Sequence, residues 1–368
     1  MDHHAATPLC DAATKAIERA RSVGWANPAS VHAAGRASRR LLEEAREQVA
    51  SAVRARPAEV VLTSGGTEAC NLGVIGLFDE AAGTHLITTT VEHPAVARAV
   101  DVLEMQGASV TRLAVPGGLA PDPTSFASSL RDDTSLVAVQ WVNHETGTVF
   151  PIAAYAAICA ERGIALLVDA TQALGKLDMD LGQIPITALA LASHKVGGPA
   201  GAGALIVRRT CKLHSRQLGG GQERGRRAGS PDVVSMVGFG AACAAVPERL
   251  SLQADIGVMR DRVERALVEF GATVNAGSGP RVATVSNVSF STRRGSDLVA
   301  ALDLEGLCCS SGAACSSGLA EPSPVLTAMY PEQRQRALGA LRLSFGPESL
   351  QVDMDAVLET LRVVLDRG

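Results

Sequence analysis

Lysine is almost missing from this 368-residue chain: only Lys15, Lys176, Lys195 and Lys212 occur, so thirty of the 34 basic residues are arginine. Aromatic residues are scarce too, at 3%. No apolar run approaches the roughly 20 residues that cross a bilayer, so no membrane association is expected. The opening Met1-Asp2-His3-His4 has neither a basic region nor an apolar signal core. Positive charge is not in surplus, and a net charge of −4 leaves no electrostatic footprint for nucleic acid. Eight cysteines stand mostly singly, without paired CxxC spacings. That pattern argues against a zinc site or a disulfide scaffold, and a reducing, cytoplasmic setting is expected. Internal repeats and low-complexity linkers are absent as well.

What is present describes a soluble globular protein, 46% hydrophobic and 20% charged. Its length allows a large core and two domains. Residues 35–55 carry Leu41, Leu42, Ala45, Val49, Ala52 and Val53 at helical spacing. Short apolar runs follow at 60–62, 86–89, 110–115, 136–142, 164–168, 188–192 and 204–207, separated by helical stretches. Near-continuous apolar strands between helices indicate an α/β fold, with a mainly parallel sheet covered on both faces. Ligands of such sheets gather at the carboxyl ends of strands, and Gly65, His93, His144, Asp169 and Lys195 all fall there. Beyond about Leu250 the pattern changes to helices at 256–270, 297–305 and 353–365 and strands at 284–290 and 341–345. A large domain over 12–250 and a smaller α+β domain from 1–11 and 251–368 are expected.

In so lysine-poor a chain, a lysine at the end of an apolar strand is informative. Arginine serves as a surface charge but cannot shed its proton to form an imine. Asp169-Ala170-Thr171-Gln172 ends one strand and Ser193-His194-Lys195 the next. The pair suits pyridoxal phosphate (PLP): lysine holds the cofactor as a Schiff base, and the acid keeps its pyridine nitrogen protonated. Alone, the two residues are equally well read as an aspartate capping the helix after its strand and an ordinary loop lysine.

Other pieces are individually ambiguous. Thr63-Ser64-Gly65-Gly66-Thr67-Glu68 follows a strand and opens a helix, either as a phosphate cradle or as a plain capped start. His93, before Pro94, and His144 are proton shuttles near neutral pH or structural histidines. Residues 219–231 are glycine-rich and cationic and include Ser230, which reads as a phosphate contact or as a flexible surface loop. In Cys308-Cys309-Ser310-Ser311-Gly312-Ala313-Ala314-Cys315, small neighbours leave the last thiol accessible as a nucleophile. Cys308 and Cys309, nearer the preceding apolar helix, are expected to be buried.

Taken together, Ser-Gly-Gly-Thr-Glu, Glu-His-Pro-Ala-Val, Asp-Ala-Thr-Gln, Ser-His-Lys and Ser-Ser-Gly-Ala-Ala-Cys resemble the cysteine desulfurases of the iron–sulfur-cluster and nitrogenase-maturation type. These are PLP enzymes of the aminotransferase fold. The resemblance runs from Ala5-Ala6-Thr7-Pro8 through Asn27-Pro28-Ala29-Ser30 to Leu341-Arg342-Leu343-Ser344-Phe345-Gly346. It implies Lys195 as the Schiff-base lysine, Asp169 on the pyridine nitrogen, Gln172 on the ring oxygen and His93 stacked on the ring. Gly66, Thr67, His194 and Ser193 would hold the phosphate, with Ser230 reaching in from the other subunit of a homodimer. Arg342, with Asn27 and His144, would meet the substrate carboxylate, and Cys315 would take the sulfur as a persulfide.

The implied reaction is desulfuration of L-cysteine: Cα proton removal, attack of Cys315 on the substrate sulfur, and release of alanine, with the sulfur passing on to an acceptor protein. Selenocysteine lysis, C–S lysis, transamination and a non-catalytic partner role are the alternatives. Three departures from the family pattern stand out. His144 occupies a position usually held by asparagine, at the ring oxygen and substrate carboxylate. Ala192 replaces a frequent phosphate-binding serine, which Ser193 is expected to offset. The chain stops soon after its last helix, without the tail by which some relatives engage a scaffold, which leaves the acceptor open.

Overall fold

The computed structural model describes residues 1–312 and 322–366. Seven strands form the main sheet: β1 (Val60–Thr63), β2 (His85–Thr89), β3 (Ser109–Leu113), β4 (Thr134–Gln140), β5 (Ala165–Asp169), β6 (Ala188–Ala192) and β7 (Gly203–Val207). Their order is β1-β7-β6-β5-β4-β2-β3. Pairs from β3 through β6 are parallel, while β7 runs antiparallel to both β6 and β1. The sheet is therefore mixed and mostly parallel, as the apolar runs indicate.

Both faces are buried, because successive side chains of a strand point to opposite sides. Val60, Leu62, Ile87, Val137, Val139, Leu189 and Leu191 enter one core, whereas Val61, Leu86, Leu136, Ala138, Ala188 and Ala190 enter the other. The first face is covered by helices Ala33–Ala52 and Val233–Ala244, through Leu42, Ala45, Val49, Phe239 and Ala242. Helices Gly66–Leu77 and Pro94–Met105 cover the second through Ala69, Leu72, Val96 and Val100.

A second sheet of β8 (Thr273–Val274), β9 (Val285–Ser289) and β10 (Ala340–Ser344) is antiparallel, in the order β10-β9-β8. It builds a third core with helices Gln253–Glu269, Gly295–Leu304 and Met354–Asp366. The first residues join this sheet, since Asp2 bridges Ser344 in parallel and Ser344 N–H donates to Met1 O (2.9 Å). Val325, Leu326 and Met329, far along the chain, pack instead into the core of the main sheet.

The glycine-rich cationic loop is anchored rather than loose. Glu223, with φ of 48°, accepts two bonds from Arg46 (2.6 and 2.8 Å) and one from Leu62 N–H (2.9 Å), serving the open side of edge strand β1. Arg227 then forks onto Glu68 (2.7 and 3.1 Å) in the first turn of helix Gly66–Leu77. Such buried, charge-assisted contacts outweigh the freedom that glycines confer.

Candidate active site

The carboxyl ends of β5 and β6 open side by side. Asp169 is the last residue of β5, and β6 turns at Ser193–Lys195 into a short 3-10 segment. Opposite them begins helix Gly66–Leu77, entered through Gly65 with φ of 153°. A side chain at Gly66 would put its Cβ 2.9 Å from both Ala192 Cβ and Thr171 Cγ2, so only glycine lets the helix start come this close.

These elements enclose a cavity of about 360 Å³ that brings together Gly66, Thr67, His93, His144, Asp169, Gln172, His194, Lys195 and Arg342. A larger hollow of about 740 Å³ lies at the other edge, among Arg54, Arg56, Arg208 and Arg209, and holds none of the candidate groups. Lys195 Nζ donates to the carbonyls of His4 (2.5 Å) and Ala5 (2.8 Å). Gln172 Nε2 also donates to His4 O (2.9 Å), and Lys176 Nζ fixes the other end of that amide at Oε1 (2.5 Å). Asp169 is 4% exposed and accepts from Thr171 N–H (3.0 Å), so it caps a turn and also faces the cavity.

The electrostatics favour neutral histidines around a few charges. Burial lowers the His93 pKa, and Lys195 pushes the same way against Asp169. His93 Nδ1 accepts from Ala95 N–H (3.1 Å), which leaves the proton of the neutral ring on Nε2. The His144 ring stands edge-on to it, with centroids 5.2 Å apart. His144 is pushed well below the usual imidazole range by burial, then by His93, Arg342 and Lys195. Burial and Lys195 bring His194 down to about 4. Beneath the site, burial raises Glu92 to about 8, and Asp169 adds to the rise.

Ser193, Ser230 and Asn27 do not join the cavity of their own chain. The Ser193 hydroxyl faces inward against Gly198, where an added Cβ would sit 2.2 Å away. It therefore does not replace the hydroxyl lost at Ala192. Ser230 is exposed at the end of the anchored loop, and the exposed Asn27 closes its own turn by accepting from Ala29 N–H (2.9 Å). Cys315 lies outside the described residues. The chain on either side of its segment borders the site: Ser310 bonds Arg342, and Ser323 donates to Glu145, next to His144 (2.5 Å). Cys308 is exposed, contrary to the expected burial; it follows helix Gly295–Leu304 and the turn at Gly306 (φ 81°), in a stretch without regular secondary structure. Cys309 is half-buried, and burial pushes its thiol up to about 12.

The donor set fits PLP. It offers an amine, a buried carboxylate on the adjacent strand, a glycine-built helix N-terminus for a phosphate, and a buried imidazole nitrogen, His144 Nδ1, with no partner among the described residues.

A family model described as "Aminotransferase class-V" matches residues 1–357. An IscS-like cysteine desulfurase of Mycobacterium tuberculosis is 40% identical over 98% of this chain and 94% of its own length. The chain belongs to the cysteine desulfurases of the class-V aminotransferase family. As a member it is a PLP-dependent enzyme. Among solved structures, a NifS-like protein superposes with a TM-score of 0.89 at 28% identity, covering 99% of this chain and 97% of that one. A structure titled "SspA in complex with cysteine" gives 0.83 at 30% identity over 94% and 98% of the two chains.

The desulfurase's cavity also uses residues that sequence reasoning passed over. His4 is buried, its ring between Thr284 Oγ1 (3.0 Å) and His144 O (3.2 Å), and its carbonyl serves both Lys195 and Gln172. One signal was available: His4 is one of only eight histidines and stands in the same opening motif as Ala5-Ala6-Thr7-Pro8. Cys70 lines the wall beside Asp169, and burial together with that carboxylate raises its thiol well above the usual range.

Proposed function

We propose that this desulfurase takes sulfur from L-cysteine, releases L-alanine, and keeps the sulfur as a persulfide on Cys315 for transfer to an acceptor protein. The observation that carries the reading is the convergence of Lys195, Asp169, His93 and Arg342 on one cavity at the carboxyl edge of the sheet. When bound, PLP supplies an electron sink for the pair left at Cα. Lys195 would hold the cofactor and Asp169 would keep the ring nitrogen protonated. Gln172, its amide oriented by Lys176, would meet the ring oxygen, while Gly66, Thr67 and His194 would hold the phosphate. His93, with a movable proton at Nε2, would lie against the ring, and Arg342 would take the substrate carboxylate through a charge-assisted hydrogen bond. Incubation of the purified protein with L-cysteine tests the reading. Alanine with protein-bound persulfide is expected, whereas pyruvate with free sulfide would identify a C–S lyase instead.

The reading extends to the assembly. The enzyme works as a cytoplasmic homodimer, with Ser230 completing the partner's phosphate site, and delivers sulfur to iron–sulfur cluster assembly, tRNA thiolation or another thio-cofactor pathway. Its two domains comprise residues 12–250 and residues 1–11 with 251–368. In support, Ser230 sits on a loop held rigid by Glu223 and Arg227, and the large apolar side chains of Trp25, Val31 and Leu218 stand 75%, 84% and 85% exposed. Light scattering should give twice the chain mass. A fully active monomer would refute the composite site.

His144 tunes substrate handling. With its pKa held well below 6.5, it is neutral at pH 7 and gains charge only in acid, where an imidazolium beside Arg342 strengthens carboxylate binding. In the native enzyme His144 should therefore make a contribution to cysteine binding that grows as the pH is lowered. In His144→Asn activity should persist and the pH dependence of KM for cysteine should change. Loss of PLP binding in the variant would place the residue elsewhere in the mechanism.

A further inference from the structure

Arg342 is 2% exposed, and its guanidinium is held from one side by a group that no step of the reaction has so far used. Asp2 Oδ1 accepts from Nη2 (2.8 Å), Ser310 Oγ accepts from the same nitrogen (3.1 Å), and Asp2 Oδ2 in turn accepts from the Ser310 hydroxyl (2.9 Å). His144 O takes a bond from Nη1 (3.2 Å). Nη2 thus has an acceptor for each of its two N–H groups, and one N–H of Nη1 is also engaged. The Nε–H is buried with no partner among the described residues, so a donor is left for which those residues supply no acceptor. The triangle is itself fixed by backbone. Arg342 and Ser310 exchange N–H···O bonds (2.7 and 3.1 Å), and Asp2 is bridged to Ser344, two residues beyond Arg342 on β10.

We infer that Asp2 is a positioning residue for substrate selection, holding the Arg342 guanidinium in one plane so that its unpaired Nε–H receives the α-carboxylate. The inference rests on the reading that Arg342 meets that carboxylate. A buried guanidinium without a counter-charge is costly, and a mobile one loses the directional advantage of a fixed donor. Asp2 removes both costs before substrate arrives. Because the carboxylate of Asp2 and that of the substrate bind different N–H groups, the two complement each other and do not compete.

The test compares two amines in the holoenzyme, followed by the change in the cofactor's visible absorption and not by turnover. L-Alanine carries the α-carboxylate, and ethylamine is the same molecule without it. Asp2→Asn should weaken L-alanine binding about tenfold, the scale of one charge-assisted bond, and leave ethylamine unchanged. Ser310→Ala should do the same to a smaller degree. Equal weakening of both amines would reduce Asp2 to a structural role, unchanged binding of both would leave it no role, and tighter L-alanine binding would make it a competitor for the guanidinium; each overturns the proposal. Arg342→Gln separates the two levels. If it leaves the preference for L-alanine intact, the carboxylate assignment of Arg342 itself is wrong. If it erases that preference while Asp2→Asn does not, only the role of Asp2 falls.

Discussion

Lys195→Ala should leave a protein with no turnover and no borohydride-reducible band, a loss of several orders of magnitude in activity. The cofactor needs an amine that can form an imine, and arginine, the dominant base of this chain, cannot supply one. Lys195 is placed for that task by the turn after β6, on the strand next to the one that ends in Asp169, with its amine steered into the cavity by the carbonyls of His4 and Ala5. The experiment is unusually clean because only three other lysines exist. One of them, Lys176, is close enough to Lys195 for each charge to be felt by the other, but its amine is committed to Gln172 Oε1. Peptide mapping after borohydride treatment of the variant should find no adduct. A reducible adduct on Lys176, or any persistent turnover, would remove Lys195 from the centre of the mechanism.

Cys315→Ala should separate the two halves of the chemistry. The variant should retain the cofactor's absorption and still bind cysteine, since none of the groups around the 360 Å³ cavity is altered. Alanine production and protein-bound persulfide should nevertheless fall almost to nothing. Activation at Cα is not sufficient by itself: the carbon–sulfur bond breaks toward alanine only if a thiolate accepts the sulfur at high effective concentration. The other thiols are poorly suited to replace it. Burial raises Cys70, Cys159 and Cys243, and Cys309 is pushed up to about 12. The exposed Cys308 is the informative control. Retained activity in Cys315→Ala that is lost on adding Cys308→Ala would transfer the acceptor role to Cys308 and leave the cofactor assignment intact.

The legible part of this molecule was the part written in local chemistry. Apolar runs at 60–62, 86–89 and 188–192 became β1, β2 and β6 within a residue, because in a strand buried on both faces no charged side chain interrupts the run. Asp169, Lys195, His93 and the Gly65-Gly66 turn were readable because each pairs a special residue type with a strand end. What stayed hidden depends on partners far apart in sequence or on backbone atoms that any residue carries. His4 acts on Lys195 through its carbonyl, which leaves no trace in residue identity. Asp2 meets Arg342 across 340 positions. The two-residue β8 is too short to show an alternation. The loop over 219–231 reads as flexible from composition, yet Glu223 and Arg227 tie it to Arg46 and Glu68. Ser193 has the right chemistry and the wrong direction, which only the close approach of Gly198 reveals.

The account's central claim is that sulfur leaves L-cysteine for a thiol of this chain as alanine is released. A single turnover with one equivalent of sulfur-labelled L-cysteine, quenched with an alkylating agent and followed by peptide mass spectrometry and amino-acid analysis, tests it most directly. The account predicts one alanine for each labelled sulfur, with that sulfur on the peptide containing Cys315. Label found only as free sulfide, with pyruvate in place of alanine, would contradict it.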